Sequence, residues 1–185
     1  NSGITSIELP ATLETIGDYA FHSCSGLTEV DLSNCTSLTS IRDMAFYGCS
    51  GLTEVDLSNC TNLTSIGDYA FSGCSGLTGA LDLSNCTSLT SIGDSAFYNC
   101  SRLTSITLPS NLTSIGEMAF GYCSGLTSIT LPSSLTNIER AAFYGCRGLT
   151  GALDLSNCTS LTSIGDSAFY GCRGRTGALD LSNCT

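Results

Sequence analysis

The stretch Leu27-Thr-Glu-Val30-Asp-Leu32-Ser-Asn-Cys35-Thr-Ser-Leu38-Thr-Ser-Ile41-Arg-Asp-Met-Ala-Phe46-Tyr-Gly-Cys49-Ser-Gly51 decides the architecture, because it recurs along the chain. The dipeptide Ala-Phe ends at Phe21, Phe46, Phe71, Phe97, Phe120, Phe143 and Phe169, which are all seven Phe of the sequence. Their spacings are 25, 25, 26, 23, 23 and 26 residues. A Cys follows each Phe by three positions, and Leu27, Leu52, Leu77, Leu103, Leu126 and Leu149 follow the first six of those Cys by three more. Arg175 takes the seventh such place. Self-similarity at a period of 20–50 residues is the mark of a stacked repeat.

Within a copy, Leu27, Val30, Leu32, Cys35, Leu38, Ile41, Ala45, Phe46 and Cys49 are the apolar set. One 25-residue coil cannot bury them alone, whereas a stack lets each side chain pack on its own copy about 4.8 Å away. Val30-x-Leu32 alternates like a strand with one face inward, and Leu38-Thr-Ser-Ile41 reads as a second short extended segment. An acidic column precedes Ala-Phe (Asp18, Asp43, Asp68, Asp94, Glu117, Asp166, with Arg140 once). We read it as the N-cap of a short helical or 3-10 turn. The 23-residue copies replace the Asp-Leu-Ser-Asn-Cys-Thr-Ser run with Thr-Leu-Pro-Ser, and all three Pro (Pro10, Pro109, Pro132) lie there. The 26-residue copies gain one residue, as in Leu77-Thr-Gly-Ala-Leu81-Asp-Leu83. The expected fold is an α/β solenoid of about seven coils of 23–26 residues, with short parallel strands on one face and helical or 3-10 turns on the other. It forms a single unit over 1–185. Neither end shows a polar cap, so the expectation is a segment of a longer array.

Leu-x-x-Val-x-Leu-x-x-Cys-x-x-Leu matches the leucine-rich-repeat pattern. Ala-Phe-x-x-Cys followed by Leu-Thr-Ser-Ile-Thr-Leu-Pro resembles the BspA-like class of leucine-rich repeats over essentially residues 4–184. The Asp-Leu-Ser-Asn-Cys-Thr-Ser copies depart from it toward a cysteine-type repeat. Members of the class are typically large surface or secreted proteins, and some bacterial ones are adhesins. The resemblance therefore implies an extracellular or cell-surface location and a binding role, without naming a ligand.

Composition narrows the function classes. The 185 residues carry six basic and sixteen acidic groups, for a net charge of −10. A nucleic-acid binder needs a basic face. The apolar content of 42% is too high for a disordered chain. No apolar run approaches a membrane span. One His (His22), without a matching partner, is a poor basis for acid–base catalysis. The expectation is a non-enzyme without cofactor or metal.

The twelve Cys fall in two columns: seven after Phe, and Cys35, Cys60, Cys86, Cys158 and Cys184 in Ser-Asn-Cys-Thr. Buried thiols explain them best. Disulfides between adjacent coils are the alternative, and a metal site fits least, since no Cys-x-x-Cys exists.

The outward columns supply the candidate binding face: Thr28, Glu29, Asp31, Thr53, Glu54, Asp56, Asp82, Thr107, Thr130 and Asp154. The Thr column reads as a solvated strand with cross-coil hydrogen bonds, or as a hydroxyl array that orders water. The Asp column reads as solvated carboxylates that discourage edge pairing, or as Ca²⁺ ligands. All seven Tyr flank the Phe column, where they shield the grooves between turns or present an aromatic stripe to a sugar or partner. Asn34, Asn59, Asn62, Asn85, Asn99, Asn111, Asn157 and Asn183 match the N-glycosylation sequon, although Ser-Asn also suits a bend.

The leading function is recognition of a protein or glycan through the strand face. One alternative is a structural protein whose coils stack end to end into an extracellular filament or matrix. Another is binding to ice or mineral surfaces through the Thr/Ser ladders. End-to-end self-association is a further expected contact, and nucleic acid and membrane span are not expected.

Overall fold

A computed structural model describes residues 3–149 and 155–172 of the chain. Thirteen short strands lie within the described residues. They are β1 Ser6–Glu8, β2 Thr15–Ile16, β3 Glu29–Asp31, β4 Ser40–Ile41, β5 Glu54–Asp56, β6 Ser65–Ile66 and β7 Gly79–Asp82. They continue as β8 Ser91–Ile92, β9 Leu103–Thr107, β10 Ser114–Ile115, β11 Ser128–Thr130, β12 Asn137–Ile138 and β13 Ser163–Ile164. All pairings are parallel. The two-residue strands form one seven-stranded sheet in the order β2-β4-β6-β8-β10-β12-β13. The longer strands form two separate sheets, β1-β3-β5 and β7-β9-β11. From β1 to β12 both extended segments expected in a coil are thus present, and the described coils stack in sequence order.

Register follows the repeat. Val30 pairs with Val55 and Ile41 with Ile66, so inward side chains of paired strands meet their own copies. The core is one continuous cluster of Leu, Ile, Val, Ala, Phe and Cys columns. The Phe rings form its centre. Neighbouring centroids lie 5.1–5.5 Å apart from Phe21 to Phe169, with interplanar angles of 1–17°. Burying one such ring contributes about 1.5–3 kcal/mol.

The third side of the coil corrects the sequence reading. Among the described residues there is no helix and no 3-10 helix, so the α component and the helical turns are not part of this fold. The reason lies in two columns of left-handed residues around Ala-Phe. The residue after the acidic column has φ of 53–58° at Tyr19, Met44, Tyr69, Ser95, Met118, Ala141 and Ser167. The second residue after Phe is also left-handed at Ser23, Gly48, Gly73, Asn99, Tyr122, Gly145 and Gly171. A helix needs consecutive right-handed residues, which these columns interrupt. Backbone hydrogen bonds therefore alternate. The N–H groups of Met44, Phe46 and Gly48 donate to the carbonyls of Asp68, Ala70 and Ser72 in the next coil, at 2.9, 2.7 and 2.8 Å. Those of Ala45, Tyr47 and Cys49 donate three residues back, at 3.3, 3.1 and 3.1 Å.

The acidic column is likewise not a helix cap. Three of these carboxylates clearly cap the coil that follows: Asp43 Oδ1 accepts the Asp68 N–H at 2.9 Å, Asp68 that of Asp94 at 2.8 Å, and Asp94 that of Glu117 at 2.7 Å. At Arg140 the side chain instead pairs with the Glu117 carboxylate.

Length differences are absorbed where the pattern placed them. A long copy makes two successive turns, with Cys35 N–H on the Leu32 carbonyl and Leu38 N–H on that of Cys35. A short copy makes one, with Leu112 N–H on Pro109. The extra residue of the 26-residue copy has a larger effect. Gly79 adopts φ +80°, and β5 does not pair with β7. This seam is why the longer strands form two panels while the second sheet runs through.

Candidate binding face

The outward positions of β3 and β5 bring four carboxylates together in two rungs, Glu29 beside Glu54 and Asp31 beside Asp56. Val30, between them, points into the core. With Ser33 these residues line a shallow depression of about 220 Å³. The two acid types differ in what they do. Asp31 accepts the Ser33 N–H at 2.9 Å and its hydroxyl at 2.6 Å, and these bonds hold its carboxyl below the usual range, the hydroxyl first. Asp56 and Asp82 likewise accept the N–H of Ser58 and Ser84 at 2.9 Å. Asp31, Asp56 and Asp82 thus build the turns after β3, β5 and β7. Glu29 and Glu54 are exposed, with no side-chain hydrogen bond to another described residue.

Thr28 and Thr53 also lie on this panel, but their hydroxyls donate to the carbonyls of Thr5 and Thr28, each at 3.0 Å. A second Thr column does the same, for example Thr64 to Thr39 at 2.9 Å. The hydroxyl hydrogens are committed to holding coils together. Thr107 and Thr130 pair in register on the other panel, where Asp82 stands beside Thr107. The seam at Gly79 thus divides the predicted site into a panel with Glu29, Asp31, Glu54 and Asp56 and a panel with Asp82, Thr107 and Thr130. Asp154 lies outside the described residues. Among the described residues no group of three or more His, Cys, Asp or Glu is arranged to hold a metal ion.

The sequon residues Asn34, Asn59, Asn62, Asn85, Asn99, Asn111 and Asn157 are exposed. Asn183 lies outside the described residues. The side-chain amides of Asn59, Asn62 and Asn111 donate to the carbonyls of Ser33, Thr36 and Thr87 one coil back, at 2.7–2.9 Å.

Among the described residues both Cys columns are buried; Cys184 lies outside them. The first hangs on the Phe carbonyls of the preceding coil: Cys49 Sγ donates to Phe21 at 3.0 Å, Cys74 to Phe46 at 3.1 Å, and Cys123 to Phe97 at 3.2 Å. The second donates more weakly, with Cys60 and Cys86 at 3.6 Å from the carbonyls of Leu32 and Leu57. Cys24, Cys35, Cys49, Cys60, Cys74, Cys86, Cys100, Cys123 and Cys146 are free thiols, so adjacent coils are not disulfide-linked through them. Burial pushes Cys49 and Cys86 up to about 11, and Cys60 and Cys123 up to about 12. These thiols are packing groups.

On the turn side Tyr98, Tyr122, Tyr144 and Tyr170 form a row with ring centroids 5.5, 5.4 and 5.2 Å apart. Gly121 and Gly145 make room for it. A Cβ at either would lie 3.1 Å from a ring carbon of Tyr98 or Tyr122. Tyr144 is held above the usual phenol value by desolvation first, then by Tyr122 and Tyr170. His22 stacks on Tyr47 at 5.0 Å, and buried Ser72 separates the two aromatic groups.

The BspA type leucine rich repeat region family matches residues 1–91 and 79–179, with six copies. The chain belongs to this family. Six copies is one fewer than the coil count expected from the Phe column. Among solved structures, the BspA-type chain is similar to the leucine rich repeat protein TpLRR of T. pallidum. Identity is 28% and the TM-score 0.78, over 94% of this chain and 79% of that one. It is 34% identical to a leucine rich cell surface protein of Faecalibacterium prausnitzii, with a TM-score of 0.73 over 89% of this chain and 42% of that one. A leucine-rich repeat protein of Eubacterium ventriosum shows 28% identity and a TM-score of 0.66, over 90% and 42% of the two chains. The BspA-type chain thus spans less than half the length of the last two. The functional domain of InlJ from Listeria monocytogenes, described as including a cysteine ladder, shares the fold at 20% identity and a TM-score of 0.55. No curated protein matches the chain. The indicated family is a repeat family, not an enzymatic one.

Proposed function

We propose that this chain is a non-catalytic recognition module of a cell-surface or secreted protein, and that it binds a protein or glycan through the strand face. The observation that carries the reading is the pair of rungs Glu29/Glu54 and Asp31/Asp56. Like charges directly opposite each other on a sheet destabilise it. Asp31 and Asp56 offset this by building turns, whereas the Glu29 and Glu54 side chains make no hydrogen bond to another described residue. An acidic panel that costs stability is a reason to expect a ligand surface with complementary positive charge, which would also speed encounter. The cell-surface protein of Faecalibacterium prausnitzii supports the location.

The test is binding of the chain to arrayed extracellular proteins and glycans, with Glu29→Gln/Glu54→Gln as the variant. Saturable binding that weakens about tenfold in the variant and falls with salt supports the reading. Binding indifferent to both changes, or no saturable binding at all, overturns it.

A further inference from the structure

The aromatic row lies on the side of the coil that the proposed recognition face does not use. We propose that Tyr122, Tyr144 and Tyr170 form an oxidative cross-linking site, at which a peroxidase-type one-electron oxidant with hydrogen peroxide joins successive coils through dityrosine bonds.

Three observations carry this. Tyr144 and Tyr170 stack with centroids 5.2 Å apart and planes 20° apart, and Tyr122 follows at 5.4 Å. Such pairs hold two phenols of different coils side by side before any reaction, so coupling is intramolecular and gains the advantage of proximity. Tyr170 has 65% of its surface exposed, which gives an oxidant access to one end of the row. The row is also built rather than incidental. Gly121 and Gly145 leave the space its rings occupy. By contrast, Tyr69 lies in the left-handed column before Ala-Phe, in a coil whose residue after Phe is the small Ser72.

The chemistry balances. The Tyr144 and Tyr170 phenols each give one electron and one proton to the oxidant, and hydrogen peroxide is reduced to two waters. The two phenoxyl radicals couple through the ring carbons next to the oxygens, forming one C–C bond. The hydrogens on those carbons leave as protons and two protons return to the oxygens, which restores both aromatic rings. The product is the chain less two hydrogen atoms, with one coil covalently tied to the next.

The chain's arginines make the test direct. Tyr122, Tyr144 and Tyr170 lie in the segments 103–140, 141–147 and 148–173, each ending at Arg. The dilute full chain is treated with a haem peroxidase and hydrogen peroxide, then unfolded, digested with trypsin and mapped by mass. The expected products are peptides 141–147 and 148–173, and 103–140 and 141–147, joined with loss of two hydrogens, in material that runs as a monomer on a denaturing gel. Tyr144→Phe, which keeps the ring, abolishes both products and most of the dityrosine fluorescence. Tyr69→Phe changes neither. The proposal is overturned by joined peptides only in cross-linked dimers, by pairs scattered over all seven tyrosines as in chain oxidised after urea unfolding, or by no dityrosine at all.

Discussion

Phe46 lies face to face with Phe71, centroids 5.1 Å apart and planes 6° apart, and both rings are fully buried. Each ring is held by the copies above and below, so the interior has no layer that can collapse into a hole. Phe71→Ala is expected to cost about 3–5 kcal/mol, the upper range for a buried aromatic. Phe169→Ala, at a partly buried ring, should cost less. Urea unfolding of both variants checks the order, and equal losses would contradict a central spine.

Stability should fall at alkaline pH. Burial raises the folded-state pKa of Cys49 and Cys86 to about 11 and that of Cys60 and Cys123 to about 12, from 9.0. Above 9 the unfolded chain releases these protons before the folded one does, so unfolding is favoured as pH rises. The thiol contribution is fully present below pH 9 and is lost between 9 and about 12. Thermal melts across this range should show a decline that is shallower in Cys60→Ala. At neutral pH the same thiols should resist alkylating reagents until denaturant is added.

The carboxylate ladder sets a steric limit on its neighbours. A Cβ at Gly93 would lie 2.6 Å from Asp68 Oδ1 and 2.7–2.8 Å from backbone atoms of the preceding coil. Gly93→Ala should therefore destabilise by about 1–3 kcal/mol. Asp68→Ala removes the bond to the Asp94 N–H and should cost about 1 kcal/mol. In the double variant the backbone clash persists, so Asp68→Ala should not rescue Gly93→Ala; chemical denaturation of the set decides this.

Much of the coil was legible in the sequence because the inward columns repeat without interruption. Val30, Leu32, Leu38 and Ile41 announced both extended segments, and the prolines marked the turn that absorbs length changes. The helical turn was misread for a physical reason. Asp followed by Ala-Phe suits a capped helix locally, and only the stack supplies carbonyls of the next coil as rival acceptors for Phe46 N–H and its neighbours. Gly at 48, 73, 145 and 171 was the signal that could have revealed the left-handed column. The division of the candidate face was hidden because a single inserted glycine looks harmless in a pattern of loops.

That column yields a stabilising change. Ser23 holds φ 58° where four other coils place Gly. Ser23→Gly should stabilise by about 1 kcal/mol by relieving the Cβ strain, offset in part by the exposed Ser23–His22 contact at 3.0 Å. A rise in melting temperature checks it.

The seam at Gly79 has a mechanical consequence. Tension along the stacking axis loads the hydrogen bonds between coils in series, so extension begins at the junction with fewest of them. Between β5 and β7 one of the two ladders is missing, while β6 and β8 still pair. Under force the coils from β1 to β12 should part there first, separating the Glu29/Glu54 panel from the Thr107/Thr130 panel at a fixed and early breaking point.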